Sequence, residues 1–248
     1  MAELHDLQPT SRFTDRASEY ARHRPGYPSG LVDALVADGP KVAVDIGAGT
    51  GISSRLLAAR GVRVIAVEPN AAMREAAGAC EGVAWVEATG ERTGLESSSV
   101  DLVLCAQSFH WLRAEEALAE FARVLRPGGV VALVWNDRDD QDEFTREYGR
   151  LLRVASGDHP AMRGVPHHES LRRSRLFEGF ETRVFPSSQG VTREGLLGRA
   201  RSASYCPREG EAWERLLEGL IRAHAAHADA EGVAALVYVS SLHTARRV

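Results

Sequence analysis

The stretch Val42-Ala-Val-Asp-Ile-Gly-Ala-Gly-Thr-Gly51 ends a short apolar run in one acid and three glycines. Gly47, Gly49 and Gly51 let a backbone turn sharply and approach a ligand with no Cβ in the way. Glu68, about twenty residues further on, closes a second apolar run, where a carboxylate accepts hydrogen bonds from ribose hydroxyls. The chemistry on offer is nucleotide binding, and three ligand classes share it: a dinucleotide, an ATP phosphate, or a nucleoside without phosphate.

Three details separate these classes. The phosphate loop GxxxxGK[ST] is absent, and the dinucleotide pattern GxGxxG asks for a third glycine where this chain has Ile52. Asp45 stands directly before Ile46-Gly47, and its charge is unfavourable beside a pyrophosphate but favourable beside an amino or sulfonium group. The balance favours S-adenosyl-L-methionine over NAD. The plain alternative is a glycine turn kept only for strand–helix packing, which does not account for Asp45 and Glu68.

These residues need a frame to hold them. Apolar, β-rich runs at Val42–Asp45, Val62–Glu68, Val83–Glu87, Val100–Leu104 and Val130–Trp135 alternate with helix-period segments near Ser53–Arg60, Ala71–Ala79 and Ala114–Leu125. Ala117, Leu118, Phe121, Val124 and Leu125 make one stripe, and Arg126-Pro-Gly-Gly129 is expected to stop that helix. Such alternation predicts βαβ units and a parallel sheet. A leading helix is expected over Pro28–Val36. After Trp135 the rhythm changes. A helix with Phe144, Tyr148, Leu151 and Leu152 is followed by a loop rich in Gly, Pro and His. Next come a strand near Thr182–Phe185, helices over Arg193–Ala203 and around Trp213–Ile221, and a strand within Ala235–Leu242.

Composition sets the limits. The 248 residues, 44% hydrophobic and 26% charged, suit one sizeable soluble domain. A net charge of −4 with scattered arginines gives no reason to expect a nucleic-acid partner. The longest apolar run, Val130–Trp135, is too short to span a bilayer, and the polar start lacks a signal-peptide core, so no membrane is expected. Cys80, Cys105 and Cys206 form neither a disulfide framework nor a CxxC site, which predicts a reducing, cytoplasmic location.

The ordered motifs "VDIGAGTG", "VIAVEPN", "VEATGERTGLESSSVDLVLCAQSFHWL" and "RVLRPGG" resemble the class I S-adenosylmethionine-dependent methyltransferases. The likeness is to their small-molecule group of ubiquinone-biosynthesis and trans-aconitate type, and "YARHRPGYP" resembles that group's lead-in. It is strong from about Phe13 to Trp135 and fades afterwards, although "LVYVSSLHTAR" resembles the family's last strand. The resemblance implies an α/β, Rossmann-like, doubly wound sheet of seven mostly parallel strands with helices on both faces and a helical lid. One methyltransferase domain is implied: a lead-in and cofactor cover over 1–40, a cofactor-binding core over 41–135, a lid insertion over 136–181, and C-terminal strands with acceptor-side helices over 182–248.

By the same resemblance Gly47, Ala48 and Gly49 contact the methionine part of the cofactor. Asp45 helps hold its amino group, often through water, and Glu68 takes the ribose diol beside Pro69 and Asn70. Thr89, Gly90 and Glu91 match the adenine-lining position, with Ala88-Thr-Gly-Glu91 in place of the family's Gly-Thr-Ala-Glu. Ala106 and Gln107 fall near the amino group and methyl, while Tyr20 and Arg24 close over the carboxylate, a role for which a forked guanidinium is suited. Cys105-Ala-Gln-Ser-Phe-His-Trp111 replaces the [DN]-P-P-[YF] grip of many amino-methylating enzymes, which favours oxygen or carbon acceptors.

Methyl transfer to a hydroxyl or an acidic carbon is helped by a base, and His110 is the best-placed candidate. Packing beneath the next helix is the alternative for His110. Trp111, Phe144, Tyr148 and Tyr205 are candidate acceptor-pocket residues, although apolar residues at helical spacing are more often core. His159, His167 and His168 match no zinc spacing, so no metal is expected. The expected partner is a small-molecule acceptor, and the expected assembly a monomer or homodimer. Two other readings share the pocket: a binding or non-methylating protein using the same cofactor, and an NAD-dependent oxidoreductase.

Overall fold

The computed structural model of the chain describes residues 14–159 and 168–248. Its frame is a seven-stranded sheet: β1 (Val42–Ile46), β2 (Arg63–Val67), β3 (Val83–Val86), β4 (Val100–Ala106), β5 (Leu125–Arg138), β6 (Phe177–Thr192) and β7 (Val233–Arg247). The spatial order is β3-β2-β1-β4-β5-β7-β6. The first five strands run parallel, and β7 lies antiparallel between β5 and β6. The mostly parallel, doubly wound α/β expectation holds.

Strand residues alternate between two cores because successive side chains leave opposite faces. On one face Val44, Ile46, Val103, Cys105, Val131 and Leu133 pack under α5 (Ala114–Val124) and α7 (Glu169–Arg173). On the other, Ala43, Val64, Leu102, Leu104, Ala132 and Val134 meet α2 (Ser29–Leu35) and α3 (Ile52–Ala58). Covering both faces explains why all five residues of β1 are apolar or buried, Asp45 included.

The helix at Ala114 stops where its stripe runs out. Leu125 turns extended and becomes the first residue of β5, while Arg126–Gly129 bulge out of the pairing with β4 before it resumes at Val130. The turn signal therefore makes a bulge inside β5 rather than a break before it.

A third core belongs to the C-terminal half. Phe144, Tyr148 and Leu152 of α6 (Glu143–Ala155) pack with Leu196 and Ala200 of α8 (Arg193–Arg201). Trp213, Leu216 and Leu220 of α9 (Gly210–His227) and Ala234, Leu236 and Tyr238 of β7 complete it. Asp142 caps α6 by accepting from the Thr145 N–H at 2.8 Å. Two boundaries differ from expectation. Strand β5 continues to Arg138 because Asn136, Asp137 and Arg138 pair with Ser240, Val239 and Tyr238, and β6 starts at Phe177. The insertion between them thus narrows from 136–181 to 139–176.

Two shorter helices complete the cofactor end: α1 (Ala17–His23) and α4 (Ala71–Ala77). Helix α1 reaches across to α8, where Gly198 leaves room for the His23 ring that a Cβ would fill.

Candidate active site

In an open α/β sheet the connections from β1 and β4 leave in opposite directions, which opens a crevice at their carboxyl ends. A cleft of about 420 Å³ occupies that position. Its floor is the glycine turn. The Gly47 and Ala48 N–H groups both donate to Val67 O, at 2.9 and 3.1 Å, so the turn is fixed to the end of β2. Gly47 has φ +64°, and a Cβ there would meet Ser108 Cβ at 2.6 Å. The Ser108 hydroxyl in turn donates to Ile46 O at 2.5 Å, which ties the ends of β1 and β4 together.

Glu68 sits at the rim, buried, with Oε2 accepting from Gly49 N at 2.8 Å and Oε1 from Asn70 N at 2.9 Å. Burial pushes its carboxyl up, against the pull of those two N–H groups and of Arg74. Asn70 caps α4 by accepting from Met73 N.

Asp45 lies wholly buried behind the turn. One carboxylate oxygen accepts from the Ser53 and Ser54 hydroxyls at 2.7 and 2.6 Å, and the other has no hydrogen-bond partner among the described residues. Burial, opposed by those hydroxyls and reinforced by Glu68, pushes its pKa to about 6. An orphaned buried carboxylate oxygen is an acceptor awaiting a donor.

Gln107, directly after β4, lies in the left-handed region (φ 61°), a conformation that costs a residue with a Cβ about 1 kcal/mol. Its side-chain amide donates to Asn136 O at 3.2 Å, so its carbonyl oxygen is the end left to accept.

Of the anticipated cofactor residues, Tyr20, Gly47, Ala48, Gly49, Glu68, Pro69, Asn70, Thr89, Gly90, Glu91, Ala106 and Gln107 line this cleft. Trp111, anticipated for the acceptor, lines it too. Tyr27, Thr50, Ile52, Ser53, Met73, Ser108, Leu112 and Arg113 also line it and were not anticipated. Ser108 was legible in principle, as a small polar residue directly after β4. Tyr27 was not, because its place depends on how the lead-in folds back.

Besides Asp45, five anticipated residues do not line this cleft. Arg24 does not line the cleft: its guanidinium stacks on the Tyr20 ring at 4.6 Å and donates to Ser202 O at 3.4 Å, because the β-extended exit from α1 carries it toward α8. His110 also lies off the cleft wall. The Trp135 indole N–H donates to its Nδ1 at 3.3 Å, so the neutral ring carries its proton on Nε2 and its basic lone pair is engaged. Phe144 is buried in the third core. Tyr148 is buried in the same core, its ring 5.8 Å from the Arg138 guanidinium, and Tyr205 packs at that core's edge. Helical periodicity placed Phe144 and Tyr148 on an inner face without showing which interior that face meets, and Tyr205 lies in the connection after α8.

Among the described residues no group of His, Cys, Asp and Glu is arranged to hold a metal ion, and His167 lies outside them. No helix among them is long and apolar enough to cross a membrane.

The methyltransferase domain family model matches residues 44–133, the segment that builds this cleft. An uncharacterized methyltransferase of Mycobacterium bovis is 34% identical over 196 residues, covering 78% of this chain and 77% of its own. The chain belongs to the class I S-adenosylmethionine-dependent methyltransferases. A methyltransferase-like protein of Schizosaccharomyces pombe is 33% identical over 216 residues, 83% of this chain and 81% of its own. A solved protein of Anaeromyxobacter dehalogenans, proposed to be a type II methyltransferase, superposes with a TM-score of 0.67 at 27% identity, covering 90% of this chain and 97% of that one. The cofactor of this methyltransferase is therefore S-adenosylmethionine rather than NAD. The residues fit it: a glycine floor that Cβ atoms would fill, a buried carboxylate with a vacant acceptor, and a second carboxylate at the end of β2.

Proposed function

We propose that this methyltransferase moves a methyl group to an oxygen or carbon of a small-molecule acceptor. The observation that carries the reading is the cleft itself. It joins Glu68 after β2 and Gln107 after β4, with Asp45 buried behind the glycine turn and one of its oxygens unpartnered, and Gln-Ser-Phe-His-Trp stands where an amino-gripping motif would lie. Bound there, the cofactor supplies a methyl group already activated on a sulfonium.

The chain's residues do the positioning. Glu68 accepts from the ribose hydroxyls, with lone pairs remaining beyond its two backbone bonds. Asp45 takes the amino group, directly or through one water, with its unpartnered oxygen. Gln107 adds its carbonyl oxygen, and Tyr20 and Tyr27 cover the opening. Burial holds the Tyr27 phenol well above its ordinary range, so it stays a neutral donor. Thr89, Gly90 and Glu91 border the base.

Transfer then needs an in-line approach by the acceptor and exclusion of water, which positioning alone can accelerate. No histidine among the described residues lines the cleft, and the reading does not rest on a histidine base. A nucleophile already ionised at neutral pH, or one losing its proton to solvent, fits best.

The test is incubation with methyl-labelled cofactor and a broad acceptor panel. Label appearing on an acceptor oxygen or carbon supports the reading. Tight cofactor binding with no transfer to any acceptor, or transfer only to nitrogen, overturns it.

A further inference from the structure

One buried charge has no counter-charge among the described residues. Arg199 on α8 is only 7% exposed, and among the described residues its guanidinium hydrogen-bonds to one neutral side chain, with the Tyr148 and Tyr205 phenols nearby. Its Nε and Nη2 donate to the Tyr238 hydroxyl at 3.4 and 3.3 Å, and its guanidinium lies 5.9 Å from that ring. No carboxylate among the described residues is within ion-pair distance of it, although the chain carries 34 acids. Arginine stays protonated even when buried, and a buried charge is ordinarily paired. The Tyr238 hydroxyl, accepting from both donors, retains its own proton to give.

A second guanidinium stands beside the first. Arg138 on β5 is the register partner of Tyr238, its side chain hydrogen-bonds to Tyr205, and the nearby Arg199 charge is unfavourable to it. By strand alternation Asp137 points to the other face and does not separate the two. Like charges brought together repel, and an anion beside Arg199 would relieve the repulsion.

The place matters as much as the charge. Arg138 is two residues along β5 from Asn136, whose carbonyl holds the Gln107 amide in the cleft wall. That is roughly 7 Å beyond the wall, on the edge where the strands of this sheet end. The Asn136 amide donates to Gly26 O at 3.1 Å, next to Tyr27 of the cleft, so the same face carries both features.

We infer that Arg199, Tyr238 and Arg138 form an oxyanion subsite, and that the methyl acceptor is an anionic small molecule whose carboxylate or phosphate sits there. This rests on the acceptor reading above and names its substrate class.

The test uses the full chain saturated with S-adenosylhomocysteine at constant ionic strength. Succinate and benzoate are compared with succinamide and benzamide, and inorganic phosphate is run beside them, with calorimetric binding and thermal unfolding as readouts. The acids or phosphate should bind and raise the melting temperature, and the amides should not. A stronger response to phosphate assigns a phosphorylated acceptor, and a stronger response to the acids a carboxylate. Arg199→Met should abolish the response and Tyr238→Phe should weaken it by about tenfold, as loss of a charge-assisted hydrogen bond implies. Equal binding of acids and amides, no response to any anion, or an unchanged response in Arg199→Met overturns the inference. Should Arg199→Met fail to bind S-adenosylhomocysteine, Arg199→Lys and Tyr238→Phe decide, and an unchanged anion response in both overturns it. Because these readouts need no turnover, absence of methyl transfer counts against the acceptor reading and not against the subsite.

Discussion

At the scale of single residues, Asp45 carries the sharpest expectation. Its folded pKa of about 6 lies above the ordinary 3.8, so the apo fold favours the neutral acid. That contribution to stability is fully present below the unfolded value and is lost as pH rises through about 6, roughly 3 kcal/mol in all. A cationic amino group reverses the preference. Binding below pH 6 must therefore expel a proton, and affinity for S-adenosylhomocysteine should fall as pH drops through about 6. Calorimetry in buffers of different ionisation enthalpy reads that proton directly. Asp45→Asn, permanently neutral, should flatten the profile and weaken binding, yet melt no lower than the parent above pH 6. Glu68→Gln keeps an acceptor for only one of the Gly49 and Asn70 N–H groups and loses the charge, and should cost about tenfold to a hundredfold in cofactor affinity. An unchanged dissociation constant would remove Glu68 from the ribose site.

At the scale of elements, the turn after β1 and helix α1 do the work. Gly47→Ala must adopt φ +64° and meet Ser108, which together should destabilise by about 2–4 kcal/mol in chemical denaturation. Helix α1 puts Tyr20 on the cleft and is held to the cap, the third core built by α6, α8 and α9, through the preceding Arg16, which donates to Ala203 O and Cys206 O, and through His23 against Gly198. Cofactor binding should therefore slow proteolysis in residues 14–28. Gly198→Ala, by pushing His23 away, should speed it, and equal digestion of free and bound forms would count against α1 as a cover.

The same elements show where sequence reading works. The parallel strands were legible because two-sided burial writes continuous apolar runs such as Val-Ala-Val and Leu-Val-Leu. Strand β6 was not: expected over Thr182–Phe185, it spans Phe177–Thr192 as an edge with most side chains exposed, so no hydrophobic pattern marks its ends. The cofactor residues were legible because they sit on strand ends at fixed chain distances. Arg199 was invisible, since a charged residue in the polar-looking run Arg-Glu-Gly-Leu-Leu-Gly-Arg reads as surface until β7 is laid against it.

For the molecule as a whole, the three cores divide the labour. Phe121, wholly buried between α5 and the sheet, supports the cofactor end, while Leu220 of α9 supports the cap. Phe121→Ala should cost about 3–5 kcal/mol and Leu220→Ala about 2–5 kcal/mol. Only the first should also weaken S-adenosylhomocysteine binding. A Leu220→Ala protein with impaired cofactor affinity would show that the cap and the cleft are one cooperative unit.

The order of strands carries a further consequence. Strand β7 lies between β5 and β6, yet it follows both in the chain, after α8 and α9. During synthesis on the ribosome, β1 to β5 can assemble as they emerge, whereas β6 must wait, unpaired, until more than a third of a hundred further residues have appeared. The nascent chain thus exposes a sixteen-residue strand with no partner for the last stage of translation. Glu178, Glu181, Arg183 and Pro186 along it, poor material for pairing with a stranger, are what guards that interval.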